Sequence, residues 1–293
     1  MAPMAAALTA ELATFAALRR IRPADVVAGW IAAERATMAT EASLAELEPD
    51  HRAYTRAQNL MSVLSEPLSG TRSLQPLTKL LRAAQNRYAS PSHRPHAPIT
   101  VSFYTYWMYC DACQTPAGET LATCVLALGT QAGLDPEFLR ILALMERSRM
   151  GLYEQLGRTD GSVRLRDLAT GEPLLAFDPV SYAGPPGEVW YARVLPPPQP
   201  GRVRHVVVTT PYVVTGVGAT DAARFITSDA AVSGSGGGSE GERLAPTYMF
   251  LKYGPEPLYW LKYVDRSCRR YQANAIFLEG LPEIPARRAS PPK

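Results

Sequence analysis

Apolar positions return at two different periods along this 293-residue chain. Over residues 1–66 the period is helical. Leu12, Phe15, Leu18 and Ile21 recur every three residues, the spacing of one face of a helix. Pro23 then opens a second helix through "ADVVAGWIAAERATMATEASLAELE", because a first helical position has no use for an N–H. A third helical stretch covers "RAYTRAQNLMSVLSE". Residues 67–98 read as a basic loop or linker, with the turn-rich "YASPSHRPHAP" irregular and exposed.

Residues 99–157 read as a strand followed by helices. "ITVSFYTYW" has the Val, Phe, Tyr and Trp content of a strand. Thr115 and Pro116 are the expected N-cap and first residue of the helix "AGETLATCVLAL", which Gly129 ends. A further helix starts at Asp135-Pro136, with Phe138, Ile141, Leu142 and Met145 on one face.

Over residues 158–232 the period becomes two. "SVRLRDL", "PLLAFD", "EVWYARVL" and "RHVVVTTPYVVTG" alternate, or run β-branched, between turns, which predicts a small antiparallel sheet or barrel. Residues 233–243, containing "SGSGGGSEGE", can bury almost nothing and read as a flexible loop. In residues 244–293, "TYMFLKYG" is expected as a strand, "PEPLYWLKYVDRSCRRYQA" as a helix and "NAIFLEGLP" as a last strand. The fold class is therefore α+β: an N-terminal helical region, a central strand–helix unit, a small antiparallel β module and a C-terminal αβ segment.

Composition changes this picture little. With 46% apolar and 19% charged residues the chain is an ordinary globular one. A net charge of +3 makes no case for a polyanionic partner without a particular distribution. No apolar run is long enough to span a bilayer. The Ala-rich start lacks a basic leader and carries Glu11, so neither a signal peptide nor a membrane partner is expected. Four cysteines make no disulfide framework, and a cytoplasmic setting is the default.

Cys110-x2-Cys113 allows three readings. As half of a zinc knuckle it needs two more ligands, which His93 and His96, or Cys124, could supply. As a thiol–disulfide oxidoreductase pair before a helix it needs a facing cis-proline, for which Pro211 is the candidate. As two buried thiols it needs nothing, and this third reading has precedence because free cysteine is among the most buried residue types. No cofactor is expected beyond such a structural zinc.

Charge distribution carries the functional expectation. From Pro67 to Cys110 there is no Asp or Glu, while Arg82, Arg87 and Arg94 precede Tyr104 and Tyr106. The C-terminal segment repeats the mixture with Trp260, Lys262, Arg266, Arg269 and Arg270. Guanidinium groups neutralise phosphates and rings stack on unpaired bases, so the two segments point to single-stranded nucleic acid. On a helix the same residues would put rings inward and leave a solvated cationic stripe.

At "SVRLRDLATGEPLLAFD" and "GEVWYARVLP", within residues 162–196, the chain resembles a small β-domain of uncharacterised bacterial proteins, some of which carry a zinc-binding SEC-C motif. The SEC-C cysteine/histidine cluster is absent here. The resemblance implies a bacterial origin and a binding or regulatory role, with Arg193 set to pair with Asp167 or Glu172. No Walker A, nucleophile-elbow, H-E-x-x-H or EF-hand pattern occurs. The sequence thus predicts a non-catalytic binding protein with nucleic acid as ligand. The alternatives are a scaffold subunit with protein partners in an assembly, and the oxidoreductase.

Overall fold

The computed structural model describes residues 3–89, 98–114, 118–233 and 240–282. In chain order it forms α1 (Pro3–Arg19), α2 (Pro23–Ala33), α3 (Glu41–Ala45), α4 (Pro49–Ser69), α5 (Gln75–Ala84), α6 (Val101–Tyr106), α7 (Leu121–Leu128) and α8 (Pro136–Arg147). Six strands follow: β1 (Met150–Thr159), β2 (Ser162–Asp167), β3 (Pro173–Phe177), β4 (Val189–Leu195), β5 (His205–Val207) and β6 (Tyr212–Thr215). The chain continues with α9 (Ala219–Ser233), α10 (Glu240–Tyr253), α11 (Tyr259–Ser267), β7 (Cys268–Gln272) and β8 (Ala275–Glu279). The α+β class holds. Two compact units result: Met1–Ala83, Thr105–Arg147 and Pro198–Pro200 in one, Ala84–Tyr104, Ser148–Pro197 and Gly201–Lys293 in the other.

The helical unit is built on local signals. Pro23 opens α2, Thr40 caps α3, and the Glu48 carboxylate accepts the N–H groups of Asp50 and His51 at the start of α4. Asp135 accepts the Phe138 N–H at 3.1 Å, and α8 buries Phe138, Ile141, Leu142 and Met145 as its pattern predicts. Gly129 ends α7 at φ +41°, a conformation that favours glycine. Helix α7 is capped by Thr120, while the expected cap at Thr115-Pro116 lies outside the described residues.

Two helical predictions shift. The face of α1 that enters the core is Ala5, Leu8, Leu12 and Ala16; Phe15, Leu18 and Ile21 are exposed. Small alanines let α1 approach α7 closely, so packing selects the seam with the least bulk. The long second helix ends at Ala33 and resumes as a short 3₁₀ turn and α3. Within the expected basic linker, Gln75–Ala84 is helical.

Residues 101–111 form a helix with a π-helical last turn, Trp107–Asp111, where a strand is expected. Phe103, Tyr106, Trp107 and Cys110 are buried at the helical spacing i, i+3, i+4, i+7, and Tyr109 and Asp111 are buried beside them in the π-helical turn. Burial on one helical face overrides the strand propensity of β-branched and aromatic residues. "TYMFLKYG" is likewise helical, within α10, and buries Thr247 and Leu251 four residues apart.

In the second unit, β1 pairs antiparallel with β2 and with β4, β2 pairs with β3, β3 lies parallel to β5, and β5 pairs with β4. This order, 1-2-3-5-4 and back to 1, closes a five-stranded Greek-key barrel. Strand β1 pairs along both edges, Met150–Glu154 with β4 and Tyr153–Thr159 with β2, and is bulged between Gln155 and Gly157. Gly157 sits at φ +133°, a backbone conformation that favours glycine.

The barrel interior is filled by Tyr153, Val163, Leu165, Ala176, Trp190, Ala192, Val194 and Val207. Tyr182, from the turn after β3, packs against Trp190 at 5.7 Å and Phe277 at 6.1 Å. That turn is held by Asp178, buried, which accepts from the backbone N–H of Val180 and Tyr182 and from Arg158 at 2.7 Å. Asp167 is ion-paired with Arg149 at 2.8 Å, and Arg193 donates to the Ser148 hydroxyl.

Past β5 the same strand is broken at Thr209–Pro211, where Pro211 has no N–H to give the ladder. It resumes as β6, which lies parallel to β8, and β7 forms the edge.

Candidate functional site

Of the cationic and aromatic residues singled out by sequence, Arg82, Arg87, Arg266, Arg269 and Arg270 are exposed, while Tyr106 and Trp260 are buried. Arg82 and Arg87 are exposed on and just after α5, and the Arg87 guanidinium lies 5.3 Å from the Tyr88 ring. Arg94 lies outside the described residues. Tyr104 is half-buried, its hydroxyl pKa pushed up to about 12 by desolvation, and Tyr106 is buried.

The C-terminal segment turns its rings inward. Trp260 is 4% exposed, donates its indole N–H to the Phe250 carbonyl at 3.0 Å, and packs 5.0 Å from Tyr191 and from Tyr259. Its face is therefore not open to a stacking base, which corrects its expected role. Lys262 is ion-paired with Glu256 and Arg269 with Glu279, each at 2.5 Å. Arg270 lies over the Phe277 ring at 3.8 Å, and Arg266 is exposed. Opposite charge and cation–π contact occupy most of this stripe.

Cys110 and Cys113 are buried free thiols. Both belong to the helical unit, Cys110 in the π-helical turn and Cys113 two residues after it. His93 and His96 lie outside the described residues, and among the described residues no three His, Cys, Asp or Glu side chains converge on one point. Burial pushes the Cys124 thiol up to about 12, away from the thiolate a metal needs. The peptide bond before Pro211 is trans, not the cis form that the redox reading requires.

Another arginine surface emerges from the barrel. Val163, Leu165, Leu174 and Ala176 face inward or pack on the core, so alternation turns Arg164 and Arg166 of β2 outward, opposite Leu175 and Pro173 of β3. Arg164 and Arg166 are exposed, Leu175 is 37% exposed and Phe177 is partly exposed. Arg204, at the end of the β4–β5 loop, places its guanidinium 5.5 Å from the centre of the Phe177 ring. Arg202 and Val203 of the same loop are exposed. The acidic neighbour is Glu154, 3.2 Å from Arg166, while Arg164 donates to the Leu156 carbonyl at 3.3 Å.

The signal for this surface was present as "VRLRDL" and "PLLAF". It was legible only as strand alternation, since nothing local says which strands lie side by side. What the tertiary structure adds is that β2 and β3 lie side by side, with β5 next to β3. No family model, no curated protein and no solved structure matches the chain.

Proposed function

We propose that this is a non-catalytic binding protein that holds single-stranded nucleic acid on the outer β2–β3 face of its barrel. The observation that carries the reading is Arg164 and Arg166 projecting from β2 beside Leu175 and Phe177, with Arg204 on the Phe177 ring. Architecture alone does not imply function; the side chains do the arguing.

Two residues along a strand span about 6.6–6.8 Å, comparable to the spacing of successive phosphates along an extended single strand. Two guanidinium groups at that interval meet consecutive phosphates, and Arg offers a planar fork suited to them. Phe177 and Leu175 give the unpaired bases an apolar surface, and stacking tolerates any base because each has a π-face. A duplex would present its phosphates on a rigid curved path and keep its bases paired, so the extended strand fits better. A neutral oligosaccharide would make no use of the positive charge that the arginines bring to this face.

The test is fluorescence anisotropy with a labelled mixed-sequence oligonucleotide of about a dozen nucleotides, as DNA and as RNA, across a salt series. Binding weakens with salt, and the Arg164→Ala/Arg166→Ala double variant lowers the log–log salt slope by roughly 1.4, about 0.7 for each lost contact. No binding at low salt, an unchanged slope, or preference for a neutral oligosaccharide overturns the reading.

A further inference from the structure

We infer that the helical unit carries a second, independent docking site: a groove for an amphipathic helix of another protein whose apolar stripe is flanked by acidic residues. The groove is a half-open cleft of about 290 Å³ with Leu8, Leu12 and Phe15 of α1, Trp30 of α2, Leu68 of α4 and Leu128 of α7 among its walls. Leu8 and Leu12 are buried and form its floor, Phe15 is 37% exposed at its edge, and Leu18, one turn further along α1, is 81% exposed.

The length of the apolar row selects the occupant. A small molecule filling the cleft would leave Leu18 in water, whereas a helix laid along α1 covers the row with anchors at i, i+3 or i+4, and i+7. Charge selects its flanks. Arg19 and Arg72 are exposed beside it: the Arg19 guanidinium lies 4.4 Å from the Phe15 ring centre, and the Arg72 N–H donates to Glu11. The carboxylate among the cleft's lining residues, Glu11, accepts from the N–H groups of Arg72 and Ser73 and from the Ser73 hydroxyl, one negative charge beside the cationic side chains of Arg19 and Arg72. A second copy of α1 would bring the same arginines against these and is disfavoured.

The test uses the full chain and a labelled synthetic helical peptide with leucines at i, i+3, i+4 and i+7 and glutamates on both flanks. A second peptide has lysines in place of the glutamates. The glutamate peptide binds and the lysine peptide does not. Leu18→Glu weakens binding roughly tenfold or more, and because Leu18 is exposed the fold is retained, as circular dichroism checks. Arg19→Glu/Arg20→Glu reverses the preference between peptides. Equal binding by both peptides, no binding by the glutamate peptide, or full affinity in Leu18→Glu overturns the inference. So does self-association of the free chain that Leu18→Glu abolishes, which assigns the groove to a second copy. Oligonucleotide binding is unaffected by Leu18→Glu, so the two sites fail separately.

Discussion

The C-terminal run from Tyr259 to Tyr271 and the hairpin from Ser162 to Phe177 both mix arginines with apolar side chains, and the fold uses them in opposite ways. In the first, α11 buries Trp260, Leu261, Tyr263 and Val264, and Lys262 and Arg269 are matched by Glu256 and Glu279. In the second, the small interior of the barrel takes only Val163, Leu165 and Ala176, with Leu174 packed against it, and the alternate residues are left outside, Arg166 beside Glu154. A helix that packs on one side has room to sink several rings. A two-stranded hairpin face has none, because every second side chain must point away from the core. Composition is therefore a poor guide to a binding surface, and register is a better one.

The sharpest way to break this contrast is to shorten a ring in each segment. Trp260→Ala removes a core side chain that touches Tyr191, Phe250 and Tyr263. It is expected to cost about 3–5 kcal/mol of stability, read by chemical denaturation. Phe177→Ala comes next: a loss of about 1–3 kcal/mol in oligonucleotide binding with the circular dichroism spectrum retained. Arg269→Ala leaves that affinity unchanged. If Arg269→Ala weakens binding as much as Phe177→Ala, the C-terminal stripe is the true surface and the contrast fails.

The smallest effect is a pH dependence that both units share. Burial holds the imidazoles of His205 in the barrel and His51 in the helical unit below the ordinary value of 6.5. At low pH the unfolded chain takes up protons that the folded chain refuses, so stability is full above pH 6.5 and falls as pH descends from there through the folded values. His205→Gln flattens part of this acid limb in a series of melting temperatures. An unchanged limb would mean that His205 is as solvated folded as unfolded.

Several elements were plain in the sequence because their determinants are local. Pro23 and Asp135 start helices, Gly129 ends one, the buried face of α8 follows its period, and β2, β3, β4 and β8 alternate or run apolar between turns. The misread segments are those where two local signals competed. Val101–Asp111 has a strand's composition and a helix's burial spacing, and packing chose the spacing. Strand β1 was hidden because its bulge at Gln155/Gly157 interrupts the alternation.

By itself the sequence determined that the chain is mixed α+β, where most helices begin, and which residues of β2 alternate. Only the tertiary structure decided that β1 closes onto β4, that β3 runs beside β5, and that Trp260 is core while Arg164 and Arg166 are surface. The physical reason is range. Caps, turns and periodicity act within a few residues, whereas strand order and burial depend on which distant segments exclude water together, a choice that no short stretch of sequence encodes.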